Sequence, residues 1–365
     1  MNGAGLDVQH SRTMIVVREG VQRLPVGDGY RRLVPNAQLD GLWGSPAAEA
    51  ILSDGAPLPE WLFRWRTDPW SQPFLAGVHD RLTGFLGQVR PIHSNGYVVY
   101  LCTGPDAPDD AVELCASAGL CDAVPVEPGE ALVCRWLAER APGDWKGTLA
   151  AVACGENWTT ATPYTVDRVG GRMVVTRTGQ PASRAVGGGV WCEELAANVM
   201  ERCQEGIAAI ALLALLDGVL ELASALRVRE TAEWMGPLTD QLFAPLTFTR
   251  RELAARPSVE RVITAVRELV PTTSARLDLL IVGGVSAIWP FIPDALLDVG
   301  PVWQSPEPEQ DLAAGAAWWQ VLEPYFVGVP APPALVTRTP EPRLPAETRP
   351  PADVQPPWLR SPLTS

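Results

Sequence analysis

From Leu277 the chain reads Leu-Asp-Leu-Leu-Ile-Val-Gly-Gly-Val-Ser-Ala-Ile-Trp-Pro-Phe-Ile, a passage that admits few folds. Leu279 to Val282 is a short unbroken apolar run, the pattern of a strand buried on both faces. Gly283-Gly284 follow it, and glycines at the carboxyl end of a buried strand allow positive φ and close approach to the backbone. Pro290 suits the first turn of a following helix. Strand, glycine turn and helix is how open α/β sheets build ligand crevices. A tight turn with no ligand fits the same residues.

Composition narrows the function. The formal charge of −13 argues against nucleic acid, which demands clustered Lys and Arg, so no nucleic-acid partner is expected. Lys146 is the only lysine, which leaves little scope for a catalytic one. The bias toward Arg, Ala, Pro and Gly leads to the expectation of a GC-rich bacterial source, on composition alone. Cys102, Cys115, Cys121, Cys134, Cys154, Cys192 and Cys203 are odd in number, with no CxxC pair, as in reduced thiols of a cytoplasmic protein. His10, His79 and His93 lack metal-ligand spacing. No signal peptide is read at the N-terminus. Ile207 to Leu216 is too short to span a bilayer, so a buried helix and no membrane partner are expected.

The order of elements predicts an α/β layer structure. Gly5 to Val17 reads as a β-hairpin with Asp7 on its first strand and Ser11 and Thr13 in or near its turn. Asp7 is either a surface acid or the ligand of a hydrated cation beside phosphate. Trp43 to Leu52 reads as a short helix. Arg64 and Arg66 lie among Trp61, Trp65 and Trp70, either stacked on the rings or binding phosphate. Tyr97–Thr103, helical 109–118, Ala123–Val126 and helical 130–137 alternate strand and helix. Gly147 to Tyr164 repeats the hairpin plan, which points to a duplicated fold with a ligand between its halves. Gly187-Gly188-Gly189 before a helix at 193–203 either presents N–H groups to an anion or forms a joint. Thr249 to Leu253 has a capping-box start, 259–270 is an amphipathic helix, and the small residues of 311–321 allow close helix packing. After about Pro330 the Pro-rich tail 331–365 is expected to be disordered.

In order and spacing these pieces resemble the nucleotide-binding domain of Hsp70 (DnaK-type) chaperones, of the actin-like ATPase group. Gly5-Leu6-Asp7 and its hairpin resemble the family's first phosphate loop, Gly-Ile-Asp-Leu-Gly-Thr-Thr. Glu127-Pro128-Gly129-Glu130-Ala131 resembles Glu-Pro-Thr-Ala-Ala, and Val186-Gly187-Gly188 resembles Leu-Gly-Gly. Thr249-Arg250-Arg251-Glu252-Leu253 resembles Thr-Arg-x-x-Leu/Phe. Ile281-Val282-Gly283-Gly284, with Ile288 and Pro290, resembles the adenosine-side loop, and Ala313 to Ala317 resembles Ala-x-Gly-Ala-Ala.

The resemblance implies two lobes around a central cleft: a domain 1–330, with lobe I about 1–146 and lobe II about 147–322. It implies ATP or ADP with Mg2+ as cofactor. Asp7 and Glu127 would be catalytic and Asp7 the metal ligand; Ser11, Thr13, Gly155, Gly187, Gly188, Gly283, Gly284 and Ser286 would bind nucleotide. The departures imply weak or absent hydrolysis. Gln9-His10-Ser11 replaces Gly-Thr-Thr, so side chains crowd the phosphate donors. Ala153-Cys154-Gly155-Glu156-Asn157-Trp158 stands where the family has Asp-Leu-Gly-Gly-Gly-Thr, which removes an acid and sets Glu156 to repel phosphate. The catalytic lysine has no counterpart, and the adenine-contacting cluster is not recognisable between Glu221 and Trp234. No stretch of these residues resembles the peptide-binding domain of true Hsp70s, so no autonomous foldase is expected.

Two functions follow: an Hsp70-like, chaperone-related nucleotide switch that contacts another protein, or a scaffold or regulatory protein that keeps only the fold. An active ATPase or small-molecule kinase ranks below both, because it needs an acid at Ala153 or a base in the cleft and the sequence offers only Asp7 and Glu127.

Overall fold

The computed structural model describes residues 3–19, 22–27, 33–53, 68–89, 97–120, 122–139, 144–202, 209–234, 246–270 and 277–327. Contacts divide the chain into Met1–Val329 and Pro330–Ser365. The second unit, with the tail 331–365, lies outside the described residues, as do Trp61, Arg64, Trp65 and Arg66.

The fold is mixed α/β, built on two mixed sheets. In the first, β1 (Gly3–Val8), β2 (Arg12–Glu19) and β3 (Gln22–Pro25) form an antiparallel meander, with β4 (Leu33–Pro35) also on β2. A small ribbon, β5 (Gln38–Leu39) and β6 (Leu42–Trp43), turns through Asp40 and Gly41 at φ 45° and 81°. Positive φ at both central residues is the hairpin turn that Asp-Gly favours. Strands β7 (Val98–Cys102) and β8 (Val124–Val126) then add in parallel beyond β1, giving the order β3-β2-β1-β7-β8.

The second sheet has the same plan. Strands β9 (Gly147–Cys154), β10 (Thr159–Val169) and β11 (Arg172–Arg177) form the meander, and β12 (Ala182–Arg184) pairs with β10. A separate ribbon pairs β13 (Thr231–Trp234) with β14 (Leu246–Thr249). Strands β15 (Leu279–Gly283) and β16 (Val302–Trp303) add in parallel beyond β9, and β17 (Phe326–Val327) lies parallel to β11. The order β11-β10-β9-β15-β16 matches that of the first sheet strand for strand.

Period-two alternation explains how each sheet is covered on both faces. Met14 and Val16 of β2 pack on Ala313 and Ala314, while Ile15 and Val17 face Phe74, Leu75 and Val78 of helix Gln72–Val89. In β9, Ala150 and Val152 face Leu195 and Leu280, while Leu149 and Ala151 join Leu132 and Ile281. Helices Pro128–Glu139 and Asp311–Ala316 pack on each other between the sheets, the first against β9 and the second against β1. The fully buried Arg135 joins them, its Nε donating to Asp311 Oδ1 at 2.9 Å, and Glu139 takes a second side of the guanidinium.

After β15 the sequence-based helix divides into a 3-10 turn, Val285–Ile288, and a helix, Phe291–Leu296. Trp289 between them is extended at ψ 136°, because the ring of Pro290 excludes its preceding residue from the helical region. Pro290 therefore precedes the helix. Thr249 caps helix Arg250–Ala254 by accepting from Glu252 N at 3.0 Å. The longest apolar helix, Ala209–Val228, contains the 207–216 run from Ala209 onward; among the described residues no helix is long and apolar enough to cross a membrane. Cys102, Cys115, Cys134, Cys154 and Cys192 are free thiols.

Candidate functional site

Four turns meet where the strands of the two sheets end: the β1–β2 turn, the β9–β10 turn, the glycine run before helix Gly189–Arg202, and the turn after β15. Gly284, at φ +102°, is held where a Cβ would stand 2.5 Å from Cys154 O. A Cβ on Gly187 would stand 2.3 Å from Gly155 O. Both glycines are there because backbone passes backbone. Ser286 Oγ donates to Gly155 O at 2.6 Å and accepts from Gly188 N at 3.0 Å, tying three turns together. Gly283 faces away from this junction, toward Leu132 and Asp311.

The β1–β2 turn is fixed from behind by Asn36. It donates to Gln9 O at 2.6 Å, its N–H donates to Ser11 O at 2.9 Å, and its Oδ1 accepts from Thr13 Oγ1 at 2.7 Å. Thr13 thus holds the turn through Asn36.

Glu156 enters from the other sheet. Ser11 N donates to Glu156 Oε2 at 2.6 Å, and Ser11 Oγ donates to Oε1. Both residues are buried. Gln9 completes the link: its Nε2 donates to Asp7 Oδ1 at 2.6 Å, and its Oε1 accepts from Glu156 N at 3.1 Å. On the far side Gly189 N donates to Glu156 O at 2.9 Å and Gly155 N to Trp158 O at 2.9 Å. The indole of Trp158 fills the space above Gly104 and Gly155. The sequence expectation of crowded donors is met by particular bonds. Ser11, Glu156, Gly155, Gly188 and Gly189 all give their N–H to the protein itself.

Asp7 is 1% exposed, so of its two sequence readings the surface acid is excluded. Oδ2 has no partner. Burial pushes its pKa up to about 7; the bond from Gln9 opposes this, while Asp106 and Glu156 add to it. A Mg2+ bound to phosphate needs ionised carboxylates and free N–H donors around it. Here the N–H and hydroxyl of Ser11 are already taken by the Glu156 carboxylate, whose charge opposes a phosphate at that place. The donor set does not fit that group. Among the described residues no three His, Cys, Asp or Glu side chains are placed to hold a metal ion.

Glu127 has a structural assignment. Its Oε2 accepts from Glu130 N at 3.2 Å and its N–H donates to Glu130 Oε2 at 3.4 Å, a reciprocal cap at the start of helix Pro128–Glu139. Thr162 Oγ1 and Tyr164 OH of β10 donate to the same carboxylate at 3.1 and 3.0 Å. Burial, then Glu127 and Glu130, push the Tyr164 hydroxyl well above its ordinary pKa, so it remains a neutral donor. Lys146 pairs with exposed Asp167 at 3.1 Å, on the surface.

The structure therefore joins Asp7, Ser11, Thr13, Gly155, Gly187, Gly188, Gly284 and Ser286 in one bonded junction, and sets Gly283 and Glu127 to its sides. Sequence reasoning read Gln9 only as crowding the turn, assigned no role to Asn36 or Trp158, and read Glu156 only as a repulsive charge. No protein-family model matches this chain, and no curated protein matches it.

Proposed function

We propose that the chain is a scaffold or regulatory protein on an Hsp70-like, actin-type two-lobe fold, acting through contact with another protein and not through ATP hydrolysis. The observation that carries this reading is the carboxylate of Glu156 on the N–H and hydroxyl of Ser11, where the resemblance would put phosphate. The common strand plan of the two sheets supports the duplicated fold, with the junction at the place of its cleft. Phosphoryl transfer depends on positioned charge and metal; the Glu127 carboxylate is committed to a helix cap and to Thr162 and Tyr164, and Asp7 is buried with Gln9 on one oxygen.

The second reading is the nucleotide-gated, chaperone-related switch, with ATP or ADP and Mg2+. It is favoured by the convergence of Gly187, Gly188, Gly284 and Ser286 on the two hairpin turns. Thermal unfolding of the full chain decides between them. Ligand at roughly 100 Kd stabilises a folded protein by about 2.7 kcal/mol. The expected result is the same midpoint with and without millimolar ATP or ADP and magnesium. A saturable upward shift would overturn the scaffold reading in favour of the switch.

A further inference from the structure

We propose that Glu156 is a tethered anion: its carboxylate occupies an oxyanion seat made by Ser11 and thereby latches the β1–β2 hairpin to the β9–β10 hairpin. The proposal rests on the reading of the chain as a protein that holds no nucleotide, and names what takes the nucleotide's place.

Three features separate this contact from an ordinary surface pair. First, it is two-pronged, with an N–H on one carboxylate oxygen and a hydroxyl on the other. That is how a turn grips two oxygens of a phosphate or sulfate, and an ionised acceptor makes both bonds charge-assisted. Second, it joins residues 145 positions apart, so it caps no local turn and serves only to bring two hairpins together. Third, the backbone of Glu156 is itself fixed, its N–H to Gln9 and its carbonyl to Gly189, so the carboxylate is presented from a rigid mount. The buried Arg12 adds positive charge nearby: burial raises the pKa of the Cys192 thiol, Arg12 opposes that shift and Glu156 adds to it.

A buried carboxylate costs free energy unless donors compensate it, and the same holds for the donors once it is gone. Removing the side chain therefore leaves the Ser11 N–H and hydroxyl unsatisfied beside the place the carboxylate held. The chemical class that fits is inorganic phosphate or sulfate.

The test uses the full chain with Glu156→Gly and Glu156→Gln, in buffers of matched ionic strength containing chloride, sulfate or inorganic phosphate. Sulfate and phosphate strengthen burial in any protein, so wild type is the control for that general effect. The expected result is a lower midpoint for Glu156→Gly in chloride, regained saturably in millimolar phosphate by several degrees more than wild type gains. Adding Ser11→Ala, which removes one prong, should cut that regain by at least half. Equal phosphate shifts in wild type and variant would overturn the proposal. If Glu156→Gly does not fold, amide exchange in Glu156→Gln decides: Ser11 should exchange at least tenfold faster than in wild type, and an unchanged rate overturns the latch. Wild-type stabilisation by ATP alongside a selective phosphate regain would sink the scaffold reading and keep the latch. No wild-type nucleotide shift and no regain would do the reverse.

Discussion

Gly315→Ala and Gly5→Ala are each expected to destabilise the protein by about 4 kcal/mol or more, or to abolish folding, although each adds a single methyl group. Helix Asp311–Ala316 lies between β1 and helix Pro128–Glu139 with no side chains to separate the backbones. A Cβ on Gly315 would stand 1.8 Å from Ala131 O, and one on Gly5 would stand 1.7 Å from Ala313 O and 2.8 Å from Ala317 N. The atoms met are backbone, so no rotamer change relieves the overlap. The helix must move by more than an ångström, which disturbs the buried Arg135–Asp311 pair and both sheets at once. Gly84, in helix Gln72–Val89, is the control: a Cβ there meets nothing within 4 Å. Gly84→Ala should stabilise by roughly 0.5–1 kcal/mol through the smaller freedom of the unfolded chain. Urea unfolding with unchanged m-values measures all three. A Gly315→Ala midpoint within 1 kcal/mol of wild type would mean that the helix does not cross as closely as described.

The contrast between these glycines marks what a sequence conveys. The Ala313 to Ala317 run announces close helix packing, because small residues at every position leave nothing else for the segment to do. The apolar run of β15, the two hairpins and the strand–helix alternation were legible for the same reason: each follows from local periodicity. So was Asp40-Gly41, a hairpin signal that the sequence reading passed over. The division at Trp289-Pro290 was also available, from the steric rule for residues before proline. The junction was legible only as a list of residues. Gly187 and Gly284 stood out because glycine is needed wherever backbones meet, but the partner each one meets lies far along the chain. Glu156 read as a charge opposed to phosphate; that it would satisfy Ser11 depends on the register of two separate hairpins. Glu127 was read as catalytic only through a resemblance, and its carboxylate is shared among Glu130, Thr162 and Tyr164, two of them on a strand of the other sheet. Long-range pairing of polar groups has no sequence period, and it decides what those groups can do.

Asp7→Asn is expected to stabilise the protein at pH 8, by up to about 4 kcal/mol, and to leave it unchanged below pH 4. The folded pKa of Asp7 is raised from 3.8 to about 7, mainly by burial. Each unit is worth about 1.36 kcal/mol. Between pH 3.8 and 7 the folded state binds the proton that the unfolded state has released, so stability falls as pH rises through this window and levels off above it. Asparagine resembles the protonated acid: its Oδ1 still accepts from Gln9 Nε2, and it carries no charge to desolvate. Asp311, raised by burial to about 6, acts in the same direction and remains in the variant. The variant should therefore keep a shallower decline from pH 4 to 6 and lose the part from 6 to 7. Denaturant midpoints at half-unit pH steps measure this. The sign also bears on function. An aspartate kept for a cation is stabilised as its anion by that cation, and asparagine would then weaken the fold with magnesium present. An aspartate that survives beside a tethered carboxylate, with one oxygen unpaired, only costs the fold stability near neutral pH. A less stable Asp7→Asn at pH 8 in magnesium would bring back the nucleotide switch; a more stable one places Asp7 in a junction that the chain closes with its own side chains.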